Sequence, residues 1–256
     1  MKDSLETYTE NRIKLLSIVK NLKNTEISIE KAEVLRYLRY KGQEIESSFS
    51  EKIDLAIEQT RSIITPRAVY ERYPLKFFED RIEVEGTNLV LKSKDISKLL
   101  RGCEECILFA ATIGTKVEME TRKAEYVDLA KSIIMDSAAT TFVERTCDYV
   151  QEIIEKEVEK SGKYITMRYS PGYGDLPLEC GKEILNILQS QKKIGLTTSS
   201  SGLMIPRKSV SAIIGIYDSS KDKDNKVKKG KKSCLECPNY NNCIYRRESG
   251  GSCYGN

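Results

Sequence analysis

The residues best suited to chemistry lie in two short stretches. The first is "RYSPGYGD", residues 168–175, where Arg168 leads into a loop that holds Pro171, Gly172, Tyr173 and Gly174 and continues to Pro177. Proline fixes φ, and glycine lets the backbone approach another molecule closely, so a loop combining them is shaped as well as low in bulk. A guanidinium offers five donors in a plane and grips a carboxylate or phosphate with two of them. Spacing alone leaves two readings open: a tight strand-to-helix connection, or a ligand loop with Arg168, Tyr169, Ser170, Pro171, Gly172 and Tyr173 around an anionic group.

The second stretch is Cys234, Cys237, Cys243 and Cys253, spaced C-x2-C-x5-C-x9-C in a terminal segment rich in Gly, Asn and Tyr. Four thiols within about 20 residues of a chain without secretory features point to a metal site more than to disulfides. Tetrahedral zinc and a [4Fe-4S] cluster both accept four thiolates, and an unstructured tail with reactive thiols is the plain alternative. Cys103 and Cys106 form a further C-x2-C, expected to be core cysteines at a helix end and a strand start rather than a redox dithiol. Cys147 and Cys180 are expected on helix faces.

The 256 residues contain no histidine, which removes the usual general base at neutral pH and the commonest nitrogen ligand of metals. The net charge of +4 resides in the tail: residues 221–256 carry +5 and the rest −1. A nearly neutral body with a Lys-rich stretch, "KDKDNKVKKGKK", argues for a solvated linker and against nucleic acid. No apolar run reaches the length of a membrane span, and the amino terminus lacks a signal sequence, so a cytoplasmic protein is expected. There is no G-x-G-x-x-G after a strand, no C-x3-C-x2-C, and no histidine to offer cobalt.

The elements that must position these residues read as α+β. Helices are expected over residues 28–42, with Ser28 as cap and Gly42 as stop, and over 50–64, burying Ile53, Ile57, Ile63 and Ile64. Short strands follow in "AVYERYPLKFFED", "RIEVEG" and "TNLVLKS", with a turn at residues 85–88. The apolar run "CILFAATIG" suits a central strand buried on both faces. A long helix from about Val127 to Lys160 should turn Ala138, Ala139, Phe142 and Val150 to the sheet. A strand at 164–168, the Pro/Gly loop, a helix over 178–191 and a last strand in "SVSAIIGIYD" complete the body. The expected division is 1–218 for the body, with its N-terminal helices in about 1–65, 219–233 for the linker and 234–256 for the Cys-rich end.

"MRYSPGYGDLPLE" followed by "GLTTSSSGLMIPRKSVSAIIG" resembles the activation (reactivation) domain of cobalamin-dependent methionine synthase. "EVLRYLRYKGQ" and "ILFAATIG" look like free-standing forms of that domain. The resemblance covers most of residues 28–218. It implies a twisted mixed or antiparallel sheet packed with helices, and S-adenosylmethionine held through Arg168, Ser170, Pro171 and Gly172, with Tyr173 toward the corrin. It implies as partner a cobalamin-binding methionine synthase lacking its own activation domain, or another corrinoid protein, with cobalamin carried by that partner and an electron from a low-potential donor. The chain would reactivate the partner by presenting a methyl group to cobalt; the alternatives are a binding or docking module without methyl transfer, and an iron–sulfur electron carrier. The family's Glu on the long helix and Tyr before the M-x-P segment align with Thr140 and Gly202 here.

Overall fold

The computed structural model describes residues 18–218, so the linker and the four cysteines Cys234, Cys237, Cys243 and Cys253 lie outside the described residues. Its centre is a seven-stranded antiparallel sheet ordered β4-β3-β2-β5-β9-β6, with β1 also paired to β2. The strands are β1 (Ile18–Asn21), β2 (Arg67–Phe77), β3 (Ile82–Val84), β4 (Val90–Leu91), β5 (Cys103–Thr112), β6 (Lys163–Ile165) and β9 (Ser209–Asp218). A separate two-stranded hairpin joins β7 (Thr197–Thr198) to β8 (Met204–Ile205). The helices are α1 (Lys31–Tyr37), α2 (Ser47–Ile63), α3 (Lys94–Leu99), α4 (Lys116–Val127), α5 (Leu129–Glu159), α6 (Glu179–Ile187) and α7 (Ser190–Ile194). Among the described residues no helix is long and apolar enough to cross a membrane.

The apolar run of β5 is explained by two covered faces. Alternate side chains point to opposite sides of a strand, and here Ile107, Phe109 and Ala111 meet the second half of α5 through Cys147, Val150 and Ile154. Leu108 and Ala110 meet α3 and α6 through Ile96, Leu100, Ile184 and Leu185. Cys103 and Cys106 would sit on opposite faces at regular pleat. A register shift between Cys103 and Glu105 instead brings both into the α3/α6 core, so neither is at a helix end. Burial pushes the Cys106 thiol well above its ordinary value, which makes it a core group rather than half of a redox dithiol.

Several expected boundaries move. Ala138, Ala139 and Phe142 share a core cluster with Ile53, Ala56 and Ile57 of α2, against which Val210 of β9 also packs, while Val150 packs with the middle of the sheet. At 1.5 Å per residue the 31-residue α5 is about 46 Å long, longer than a ten-residue strand, so its first half overhangs the sheet and needs the N-terminal helices as a second partner. Helix α1 begins at Lys31 with Glu30 as its cap and no side-chain capping bond, and the chain turns at Arg39 with φ 61°, ahead of Gly42. Strand β1 adds an unexpected edge, and α4 precedes a long helix capped by Asp128, whose side chain accepts from Lys131 N at 3.0 Å. The helix expected over 178–191 breaks at Gln189, where φ is 51° and the chain re-enters as α7.

Candidate functional site

The approach to the Pro/Gly loop is built on β9. Strand β6 stops at Ile165, earlier than expected, because the Thr166 hydroxyl accepts from Gly215 N at 2.8 Å and so takes a backbone partner's place. The chain regains the sheet at Tyr169, which exchanges two backbone hydrogen bonds of 2.9 Å with Ile213. Arg168 is thereby fixed between two anchored residues with its side chain directed to the α5 side. Within the loop, Gly172 N donates to Leu176 O at 2.9 Å and Leu176 N to Tyr173 O at 3.0 Å, closing a compact turn. Gly172 and Gly174 both have positive φ, 89° and 52°, conformations that side chains rarely adopt.

The loop's far end is fastened to a different element. Asp175 accepts from Ser93 Oγ, from Lys94 N at 2.6 Å and from Asp95 N at 3.1 Å, so its carboxylate satisfies the first turn of α3. These hydrogen bonds, with Ser93 first, hold the Asp175 carboxyl below its ordinary value. Tyr169 Oη donates toward Tyr173 O at 3.2 Å and Asp95 Oδ2 at 3.4 Å. Burial, with Asp95 adding to it, pushes the Tyr169 phenol up to about 12, so it remains a donor.

Arg168 is 4 % exposed. Its Nη2 donates to Asp148 Oδ1 at 2.6 Å and its Nη1 to Gln151 Oε1 at 2.7 Å, while Glu144 Oε2 stands 3.9 Å from Nη2. Glu144, Asp148 and Gln151 recur at i, i+4 and i+7, which places all three on one face of α5. The buried thiol of Cys147 lies beside this cluster, its value raised by burial against the pull of Arg168.

Next to this cluster is a cleft of about 240 Å³, lined by Glu144, Arg168, Ser170, Pro171 and Tyr173 on one side and by Thr198, Gly202 and Met204 of the β7–β8 hairpin on the other. The two motifs that carry the family resemblance, the Arg168 loop and the segment leading into β9, some 30 residues apart, are thus brought to one cavity. Ser209 and Ser211 at the start of β9 lie between them. At the cleft's edge two lining side chains are exposed, Tyr173 at 51 % and Leu178 at 49 %. Tyr169 and Gly172 do not line the cleft; the first braces the loop and the second shapes it.

Sequence reasoning missed Glu144, Asp148 and Gln151. It weighed Thr140, which lies outside the cleft lining, donates to Asp136 O at 3.0 Å and accepts from Lys208 Nζ at 2.8 Å. The signal that was available is the polar i, i+4, i+7 row of Glu144, Asp148 and Gln151 on the long helix. Gly202, set against the family's Tyr, does line the cleft. Among the described residues no group of three or more His, Cys, Asp or Glu is arranged to hold a metal ion.

No curated protein matches this chain. Among solved structures, one described as the crystal structure of the MetH reactivation domain bound to AdoHcy is similar, with a TM-score of 0.63 at 17 % identity. The match covers 82 % of this chain and 81 % of that one, and at such identity the likeness is one of fold. The family model for the vitamin B12-dependent methionine synthase activation domain matches residues 100–231, just over half of the sequence, including β5, α5, the Arg168 loop and the β7–β8 hairpin. The chain therefore belongs to the family of activation domains of vitamin B12-dependent methionine synthase.

Proposed function

We propose that the chain binds S-adenosylmethionine in the cleft between the Arg168 loop and the β7–β8 hairpin and presents its methyl group to a corrinoid carried by a partner protein, returning that partner to turnover. The observation that carries this reading is the convergence of the two loops on one cavity next to a buried, pre-oriented guanidinium. Asp148 and Gln151 hold Arg168 in one orientation, so little side-chain freedom is lost when it donates to the ligand's carboxylate. Ser170, Ser209 and Ser211 add hydroxyls along the cleft wall for the polar remainder of the ligand.

The residues also fit a corrinoid brought from outside. Tyr173 and Leu178 give the cleft an exposed apolar edge that a flat macrocycle can cover. The corrinoid's cobalt, with an electron from a low-potential donor, supplies the acceptor chemistry. What this chain does is hold the sulfonium methyl at the mouth of the cleft, in line with the acceptor and away from water. Such a task needs neither acid nor base, in keeping with a sequence that has no histidine.

The test is a rescue assay. The purified chain is mixed with a methionine synthase that lacks its own activation domain and is loaded with cob(II)alamin, together with reductant and S-adenosylmethionine. Growth of the methylcobalamin spectrum that depends on all components is the expected result. Binding of S-adenosylmethionine with no growth of that spectrum would reduce the chain to a binding or docking module.

A further inference from the structure

The cysteines divide into two sets. Cys103, Cys106, Cys147 and Cys180 are free thiols inside the body, each 7 % exposed or less. Burial raises Cys106, Cys147 and Cys180 above the ordinary thiol value, so they stay protonated and shut away. The body therefore offers neither a disulfide partner nor a metal ligand to Cys234, Cys237, Cys243 and Cys253, which lie outside the described residues. With no histidine in the chain, that second set is one of four sulfur donors without an imidazole.

Its sequence surroundings favour thiolates. Lys231 and Lys232 precede the first cysteine, and Arg246 and Arg247 stand between the third and the fourth. Neighbouring cations lower a thiol toward the thiolate, which is the form that binds metal, and they offset the negative charge of a four-thiolate centre. Spacings of two, five and nine residues leave a single C-x2-C knuckle, whereas four-thiolate zinc sites close on two such pairs. Iron–sulfur ligand sets use unequal loops. Strand β9 begins at the cleft, where Ser209 and Ser211 line the wall, and ends at Asp218, paired with Lys163 about 30 Å away along the strand. The chain from Asp218 to Cys234 spans at most about 55 Å, so the Cys-rich end is long enough in reach to return to the mouth of the cleft.

We infer that Cys234, Cys237, Cys243 and Cys253 hold a [4Fe-4S] cluster that relays single electrons to the acceptor at the cleft; the relay, though not the cluster, rests on the function proposed above. In each passage an external one-electron donor reduces the oxidised cluster, and the reduced cluster gives that electron to the oxidised acceptor. The cluster ends as it began, and no bond of the ligand is broken in the passage. Zinc has no redox change and cannot serve this way.

The experiment starts from the full chain purified without oxygen. About four iron and four sulfide per chain are expected, with a broad visible absorption that dithionite bleaches. Cys237→Ser and Cys243→Ser should lose both. Cys103→Ala should keep them, and it is a stringent control because Cys103 stands opposite Tyr217, beside the point where the chain leaves the body. Titration with S-adenosylmethionine should be the same in all four proteins; absence of binding in the unaltered chain would overturn the ligand reading alone. Stoichiometric zinc without a visible band would overturn the cluster. So would a metal-free chain whose four tail thiols stay paired or freely alkylated after anaerobic incubation with iron and sulfide. For the relay, the reduced chain is freed of excess dithionite and mixed with S-adenosylmethionine and the cob(II)alamin-loaded partner of the rescue assay. Methylcobalamin should form in an amount limited by the cluster, and not at all with Cys237→Ser until excess dithionite is restored. Equal yields with and without the cluster would overturn the relay. Failure of every protein under excess dithionite would overturn the rescue reading and the relay together, while iron and sulfide still decide the cluster.

Discussion

Arg168 and Ser170 belong to the same loop as Gly174 and Asp175, yet the first pair faces α5 and the cleft while the second faces α3. The α5 side is dry: a guanidinium 4 % exposed is matched by Asp148 and Gln151 on one helix face. The α3 side is wet, with an exposed carboxylate set on backbone N–H groups at the start of a short helix. The difference separates two tasks that the motif merges in sequence. One half presents groups to a ligand, and the other fixes where that half stands.

The comparison can be broken most forcefully from the dry side. Arg168→Ala leaves Asp148 in place without its cation, and removal of one partner of a buried pair costs about 3 to 5 kcal/mol. Denaturant unfolding should show a loss of that order with an unchanged slope; a loss below about 1 kcal/mol would mean that the α5 acids do not depend on Arg168. Next in size is Gly174→Ala. The residue has φ 52°, and an added Cβ would lie 2.5 Å from Tyr169 Oη, so roughly 1 to 3 kcal/mol of strain is expected. Its signature is a lower midpoint together with a loop lifted from α3, seen as faster amide exchange at Lys94 and Asp95.

Asp175→Asn is milder, since an amide oxygen still accepts from the α3 backbone although the charge is gone. Faster exchange should be confined to the first turn of α3, with ligand affinity unaltered; an equal effect on both would join the two halves into one unit. The smallest effect separates the halves by pH. The Asp175 carboxyl is lowered on folding, so its stabilisation is present above the ordinary Asp value and is lost as pH falls through and below it. The Glu144 carboxyl is raised, so the fold loses stability as pH rises from the ordinary Glu value to the raised one. Asp175→Asn should flatten the acid limb of the stability profile and Glu144→Gln the limb above it. Identical profiles in the two variants would contradict the division.

The sheet and its central strand were legible because "CILFAATIG" can be buried only on both sides, and "SVSAIIGIYD" repeats that pattern beside it. The Arg168 loop was legible because proline, glycine and arginine each restrict or extend the backbone in a way that does not depend on distant neighbours. Asp175 was not, since its partner, the start of α3, lies about 80 residues upstream and pairing over that span leaves no local trace. Glu144 escaped because what sets it apart, the Arg168 guanidinium 3.9 Å away, stands on a different element and leaves no mark on the helix itself. The overhang of α5 was hidden for a related reason: helical periodicity tells which side of a helix is apolar, not what covers it at each end.

The central claim is that Arg168 holds the carboxylate of S-adenosylmethionine in the cleft, and Arg168→Lys probes it most directly. Lysine keeps the charge that Asp148 needs but loses the planar fork that can serve Asp148, Gln151 and a ligand together. Calorimetric titration with S-adenosylmethionine should show affinity falling by about tenfold to a hundredfold, while the thermal midpoint stays close to that of the unaltered chain. Unchanged affinity in a folded Arg168→Lys protein would contradict the account, because the guanidinium would then belong to the fold alone.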